Sequence, residues 1–126
     1  MTAQQPSDLH RLFAAALNSG DADAVLELYE EDATLVPSPG GVPATGKAAI
    51  REALSGFLAL KPNLRIDTVS VIEGGLNLAL LSSRWVLEGT GPDGSPVELR
   101  GTSSEVARRH KNGNWLYAVD DPGVGR

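Results

Sequence analysis

A chain of 126 residues with 41% hydrophobic side chains, 21% charged side chains and a net charge of −5 has the makeup of a single soluble globular domain over 1–126. It contains no cysteine, which excludes disulfides, thiolate nucleophiles and cysteine-ligated metals; His10 and His110 show no ligand spacing, so neither a metal nor a cofactor is expected. The 11 Lys and Arg are scattered apart from Arg108-Arg109-His110-Lys111, which reads as a solvated hairpin end, and no nucleic-acid partner is expected. The start, MTAQQPS, lacks a signal-peptide pattern, and no stretch approaches the roughly 20 apolar residues of a membrane span. The cytoplasm is the expected compartment, without a membrane partner.

In chain order, Ser7 predicts a helix N-cap, followed by Leu9, Leu12, Phe13, Ala16 and Leu17 at helical spacing. Asn18-Ser19-Gly20 ends that helix. Asp21 caps a second helix, with Ala22, Val25, Leu26 and Tyr29 as its apolar stripe. Ala33 to Val36 reads as a short extended segment, and the three prolines between Pro37 and Pro43 demand a loop. Thr45 opens a third helix with the stripe Ile50, Ala53, Leu54, Phe57 and Leu58, and Lys61-Pro62-Asn63 stops it.

From there the period becomes two, and four antiparallel strands are predicted in succession. Leu64 to Glu73 carries its apolar residues first on one parity (Leu64, Ile66) and then on the other (Val69, Val71), which predicts a β-bulge near Asp67-Thr68. Leu76 to Leu87 is apolar on both parities and is expected to be covered on both faces. Val97 to Arg109 and Trp115 to Asp121 form a hairpin around Asn112-Gly113. Helices followed by strands predict an α+β fold with the helices on one face of the sheet.

The last hairpin yields a site. With Asn112 and Gly113 as a two-residue turn, Lys111 pairs with Asn114, Ala107 with Ala118, and Glu105 with Asp120. Opposed residues share a face. Two carboxylates on an enclosed face raise at least one pKa, an arrangement that runs acid–base chemistry near neutral pH. The alternative turns Glu105 and Asp120 to solvent or pairs them with Arg84, Arg100, Arg108 or Arg109. The other parity, with Val106, Trp115, Tyr117 and Val119, is the more core-like. A slip of one residue at the turn would undo the pairing. Tyr29 and Trp85 read first as core. Ser82-Ser83 and Ser103-Ser104 carry no case for a nucleophile, because no histidine is positioned to activate them.

Gly20-Asp21, Leu28-Tyr29-Glu30-Glu31-Asp32-Ala33-Thr34 and Thr45-Gly46-Lys47 with Ile50 resemble the N-terminal half of the nuclear transport factor 2-like superfamily, which includes ketosteroid isomerases and SnoaL-like polyketide cyclases. Gly101, Ser104-Glu105-Val106, Arg108-Arg109, Asn112-Gly113, Trp115 and Val119-Asp120-Asp121-Pro122 look closest to a stand-alone bacterial branch. The resemblance implies a cone, or cystatin-like fold: a strongly curved, mostly antiparallel sheet against three N-terminal helices, usually dimeric through its outer face. Relative to ketosteroid isomerases, the oxyanion tyrosine of the first helix matches Phe13 and the general-base aspartate falls at or near Pro37. The late-strand acid matches Glu105, and the second-helix tyrosine matches Tyr29. Loss of the base together with the oxyanion tyrosine argues against steroid isomerisation.

Two functions are expected on this basis. The first is a small-molecule-binding protein, or an acid–base enzyme of isomerase, cyclase or hydratase type. Its ligand is an apolar or amphipathic oxygen-bearing molecule held by Phe13, Tyr29, Phe57 and Trp85 against Glu105 and Asp120. The alternative is a non-enzymatic dimerisation or assembly module, whose interior needs no open cavity and no isolated carboxylates. A homodimer is expected in either case.

Overall fold

The computed structural model describes residues 2–126. Its elements are α1 (Asp8–Ser19), α2 (Ala22–Leu26), β1 (Tyr29–Leu35), β2 (Ala44–Thr45), α3 (Lys47–Leu58), β3 (Asn63–Gly74), β4 (Leu78–Thr90), β5 (Pro96–Arg109) and β6 (Trp115–Asp121). The six strands form one curved, unclosed sheet in the order β2-β1-β6-β5-β4-β3, antiparallel except where β1 runs parallel to β6. The α+β class and the four-strand meander hold. The extended segment expected at Ala33 to Val36 falls at the end of the longer β1, which with the unpredicted β2 extends the sheet past β6.

Local chemistry accounts for most element ends and corrects a few. The Ser7 side chain makes no cap bond; instead the Asp8 carboxylate accepts from the Gln4 and Gln5 N–H groups. Asp21 does cap α2, accepting from Ala24 N at 3.1 Å. That helix stops at Leu26, so Tyr29 opens β1 rather than closing a helical stripe. Thr45 likewise lies in β2, and Gly46 is the cap of α3. The three helices cover the inner face, where Leu9, Leu12, Val25, Ile50, Leu54, Leu81 and Leu87 are buried. The side chain of Asn18 ties the end of α1 to β3 through paired bonds with Leu64 O and Leu64 N.

Two bulges set which side chains face inward. In β3, Val69 is the extra residue between the pairs Thr68↔Ser83 and Ser70↔Ser82, one position beyond the expected bulge. In the last hairpin the two-residue turn is incorrect. His110 N bonds Asn114 O, so Lys111, Asn112 and Gly113 form a three-residue turn in which Gly113 takes φ 87°. The pairs near the turn are accordingly Arg109↔Trp115 and Ala107↔Tyr117, not Ala107↔Ala118. Ala118 then bulges out of β6 and restores the register, giving Val106↔Val119 and Glu105↔Asp120. The bulge also flips the side-chain alternation, so Trp115, Tyr117 and Asp120 all face inward while Val119 faces out. The two parities thus merge into one inner face that is both core and polar.

β4 is covered on its inner face alone in the single chain. Leu78 and Leu80 stand open on the outer face. The basic hairpin end is partly tied down, with Arg108 Nε and His110 Nε2 both reaching Glu30 Oε2, at 3.0 and 2.7 Å.

Candidate active site

The inner face of the sheet is layered by its register. Leu64 and Leu87 form an oily row at one end. Next comes Ile66 beside Trp85 and Gly101, then Thr68 beside Ser83 and Ser103, then Leu81 beside Glu105 and Asp120. Helices α1 and α3 close over these rows with Phe13, Leu17, Leu54 and Phe57, leaving a cavity of about 60 Å³. That is larger than the roughly 10–15 Å³ one water needs and smaller than the roughly 300 Å³ of a drug-sized site. His10, Phe13, Phe57, Trp85, Glu105 and Asp120 all contribute to its wall.

The cavity is fixed from behind at the tryptophan. Trp85 Nε1 donates to Pro122 O at 2.7 Å, and a Cβ on Gly101 would lie 2.5 Å from Gly123 O and 2.8 Å from the Trp85 ring. Only glycine allows the C-terminal segment and the indole to sit on β5 together.

Glu105 and Asp120 are each 5% exposed, and each has its own partner. Glu105 Oε1 meets His10 Nε2 at 2.7 Å, and His10 Nδ1 meets Thr68 Oγ1 at 2.7 Å. A hydrogen-bonded chain therefore runs from the exposed Thr68 through the buried His10 to a carboxylate on the cavity wall. Asp120 Oδ2 accepts from Tyr29 Oη at 2.5 Å. Burial, with the Glu105 charge as the second cause, raises the Asp120 carboxyl from its ordinary 3.8 to about 7, against the opposing pull of the Tyr29 hydrogen bond. Burial also pushes the Tyr29 and Tyr117 hydroxyls well above 10, with Asp120 the next cause for Tyr29 and Glu105 for Tyr117.

Of the aromatic residues expected around a ligand, Phe13, Phe57 and Trp85 reach the cavity. Tyr29 does not; fully buried behind Asp120, it is held by edge contacts with Phe13 at a centroid distance of 6.4 Å and by Tyr117 at 5.4 Å. Its hydroxyl meets the cavity only through the hydrogen bond to Asp120. Sequence reasoning missed His10, Thr68 and the buried Ser83–Ser103 pair. The signal for His10 was present: with Phe13 and Leu17 it falls at i, i+3, i+7, a polar side chain on the apolar stripe of α1.

Comparison with known proteins fits this architecture. Residues 9–115 match the SnoaL-like domain family model, and the chain belongs to that family. A ketosteroid isomerase-like protein from Erwinia carotovora atroseptica superposes with a TM-score of 0.80 at 19% identity, over 91% of this chain and 89% of that one. A candidate aromatic ring hydroxylase from Novosphingobium aromaticivorans gives 0.80 at 26%, over 91% and 82%. A candidate calcium/calmodulin-dependent protein kinase II association domain from Xanthomonas campestris gives 0.81 at 22%, over 91% and 81%.

Proposed function

Taking the chain as a SnoaL-like domain, we propose that it is a single-domain acid–base enzyme that moves a proton on a small, apolar, oxygen-bearing substrate. One observation carries this reading: two buried carboxylates face each other on a cavity wall, one backed by a histidine and the other by a tyrosine. Glu105, the acceptor of the His10 N–H, takes a proton from the substrate. Asp120, whose pKa near 7 keeps it largely protonated below neutral pH, delivers its proton at a second position. The substrate's C–H bond breaks at Glu105 and a new bond to hydrogen forms at Asp120's site. The proton then passes back between the two facing carboxyl groups to reset them, with no other reactant consumed. His10 and Tyr29 position the two acids through their hydrogen bonds, His10 from the cavity wall and Tyr29 from behind it.

The test uses 2-cyclohexenone in D2O, with exchange of its ring C–H followed by proton NMR. Wild-type protein is expected to accelerate exchange, and Glu105→Gln or Asp120→Asn to slow it by at least about 100-fold, the low end for a positioned acid or base. Undiminished exchange in the double variant would remove these residues from the chemistry.

The expected homodimer finds support on the outer sheet face. Ile72, Leu80, Val106 and Val119 form one cross-strand row over β3–β6, and Ile72 is 60% and Leu80 48% exposed. We read this row as the contact of a homodimer, which leaves the inner face to the ligand, so dimerisation and ligand binding coexist.

A further inference from the structure

Beside the two carboxylates lies a polar pair that the proton transfer does not use. Ser83 on β4 and Ser103 on β5 are directly opposed, and their hydroxyls are 2.5 Å apart. Both are buried, at 1% and 2% exposure, and both line the cavity. Two hydroxyls hold two protons, and the bond between them uses one. Among the described residues neither oxygen has any other hydrogen-bond partner. The neighbouring hydroxyl in the row, Thr68, is committed to His10. One O–H is therefore left without an acceptor at the cavity wall, where an unspent donor is costly. The serine that receives its partner's proton is also polarised into a better donor.

We propose that the Ser83–Ser103 pair is an oxygen-binding subsite that donates one hydrogen bond to the carbonyl oxygen of an apolar ligand. The proposal rests on the reading of the cavity as a ligand site and specifies what that ligand carries. Its placement fits such a compound. Ser103 precedes Glu105 by two residues on the same strand face, a Cα separation of about 7 Å. A small ketone or enone held by its oxygen at the serines presents a carbon a few bonds away to Glu105. When Glu105 removes a proton from that carbon, the electron pair of the broken C–H bond moves onto the carbonyl oxygen. There the serine O–H stabilises the developing charge.

The experiment compares 2-cyclohexenone with 3-methylenecyclohexene, in which C=CH2 replaces C=O, by competition for the cavity read from the tryptophan fluorescence, to which Trp85 contributes from the cavity wall. Wild-type protein is expected to favour the ketone by about ten-fold, the worth of one net hydrogen bond in a dry site. Ser83→Ala or Ser103→Ala alone keeps the preference, because the surviving hydroxyl still has a free proton. Only the double variant loses it. A simple packing role would not produce that pattern. Tyr117→Phe, which removes the other hydroxyl on the wall, leaves the preference in place. Retention of the preference by the double serine variant, or its loss in Tyr117→Phe, overturns the subsite while leaving the cavity a ligand site. Failure of wild-type protein to bind either compound overturns both. Should the double variant not fold, the carbonyl stretch of bound ketone decides the matter in the single variants: a shift to lower frequency from its value in hexane that shrinks in both Ser83→Ala and Ser103→Ala, each of which loses the partner's polarisation, supports the serines, and a shift unchanged by both refutes them.

Discussion

Replacing Asp120 by Asn tests the electrostatics of the site without touching its shape. Asn fills nearly the same volume and can still accept from Tyr29, but it carries no charge at any pH. In the wild type the carboxyl titrates near 7 in the folded chain and near its ordinary 3.8 in the unfolded one. Between these values the folded state holds the extra proton, so stability falls as pH rises. The loss begins at about pH 4, levels off just above about pH 7, and amounts at most to about 4 kcal/mol for a shift of about three units. Urea denaturation at half-unit steps from pH 4 to 8, followed by tryptophan fluorescence, measures it. The stability of Asp120→Asn relative to wild type should climb steadily over that window and flatten above it. A difference independent of pH would mean that Asp120 titrates as an ordinary exposed carboxylate, and the acid assigned to the mechanism would be lost.

His10→Leu leaves Glu105 buried without its donor; a loss of about 3 kcal/mol is expected by urea denaturation, with much of it recovered when Glu105→Gln is added. Gly101→Ala forces a methyl group against the Trp85 ring and the Gly123 carbonyl. It should cost about 2 kcal/mol as overpacking, read as a lowered denaturation midpoint with an altered tryptophan emission. Leu80→Lys places a charge in the centre of the outer apolar row. Sedimentation should then show a monomer with an unchanged far-ultraviolet spectrum; a variant that still sediments as wild type would move the interface elsewhere.

Most of the architecture was legible because it follows from local rules. Leu9 to Leu17 and Ile50 to Leu58 declare their helices by spacing, and the change of parity between Ile66 and Val69 announces the bend in β3. What failed did so where tertiary contacts outweigh local preference. Tyr29 continues a helical stripe on paper, yet pairing beside Tyr117 draws it into β1. Thr45 is a good helix cap by type, but its pairing with Thr34 in β2 shifts the start of α3. The pairing of Glu105 with Asp120 came out as expected through two departures that cancel: a turn one residue longer and an unforeseen one-residue bulge at Ala118. His10 could not be matched to Glu105 from spacing, since 95 residues separate them and only the curvature of the sheet brings them together. The serine pair was set aside for lack of an activating histidine, a test suited to nucleophiles and blind to donors.

The bulge at Ala118 has a consequence for how this hairpin can vary. Between the pairs Arg109↔Trp115 and Glu105↔Asp120, β6 carries one residue more than β5. Removing Ala118 would take out that surplus and restore strict alternation, with Tyr117 and Asp120 still inward and Asp120 still opposite Glu105. The strand can therefore lose one residue between the turn and the acid without moving the acid.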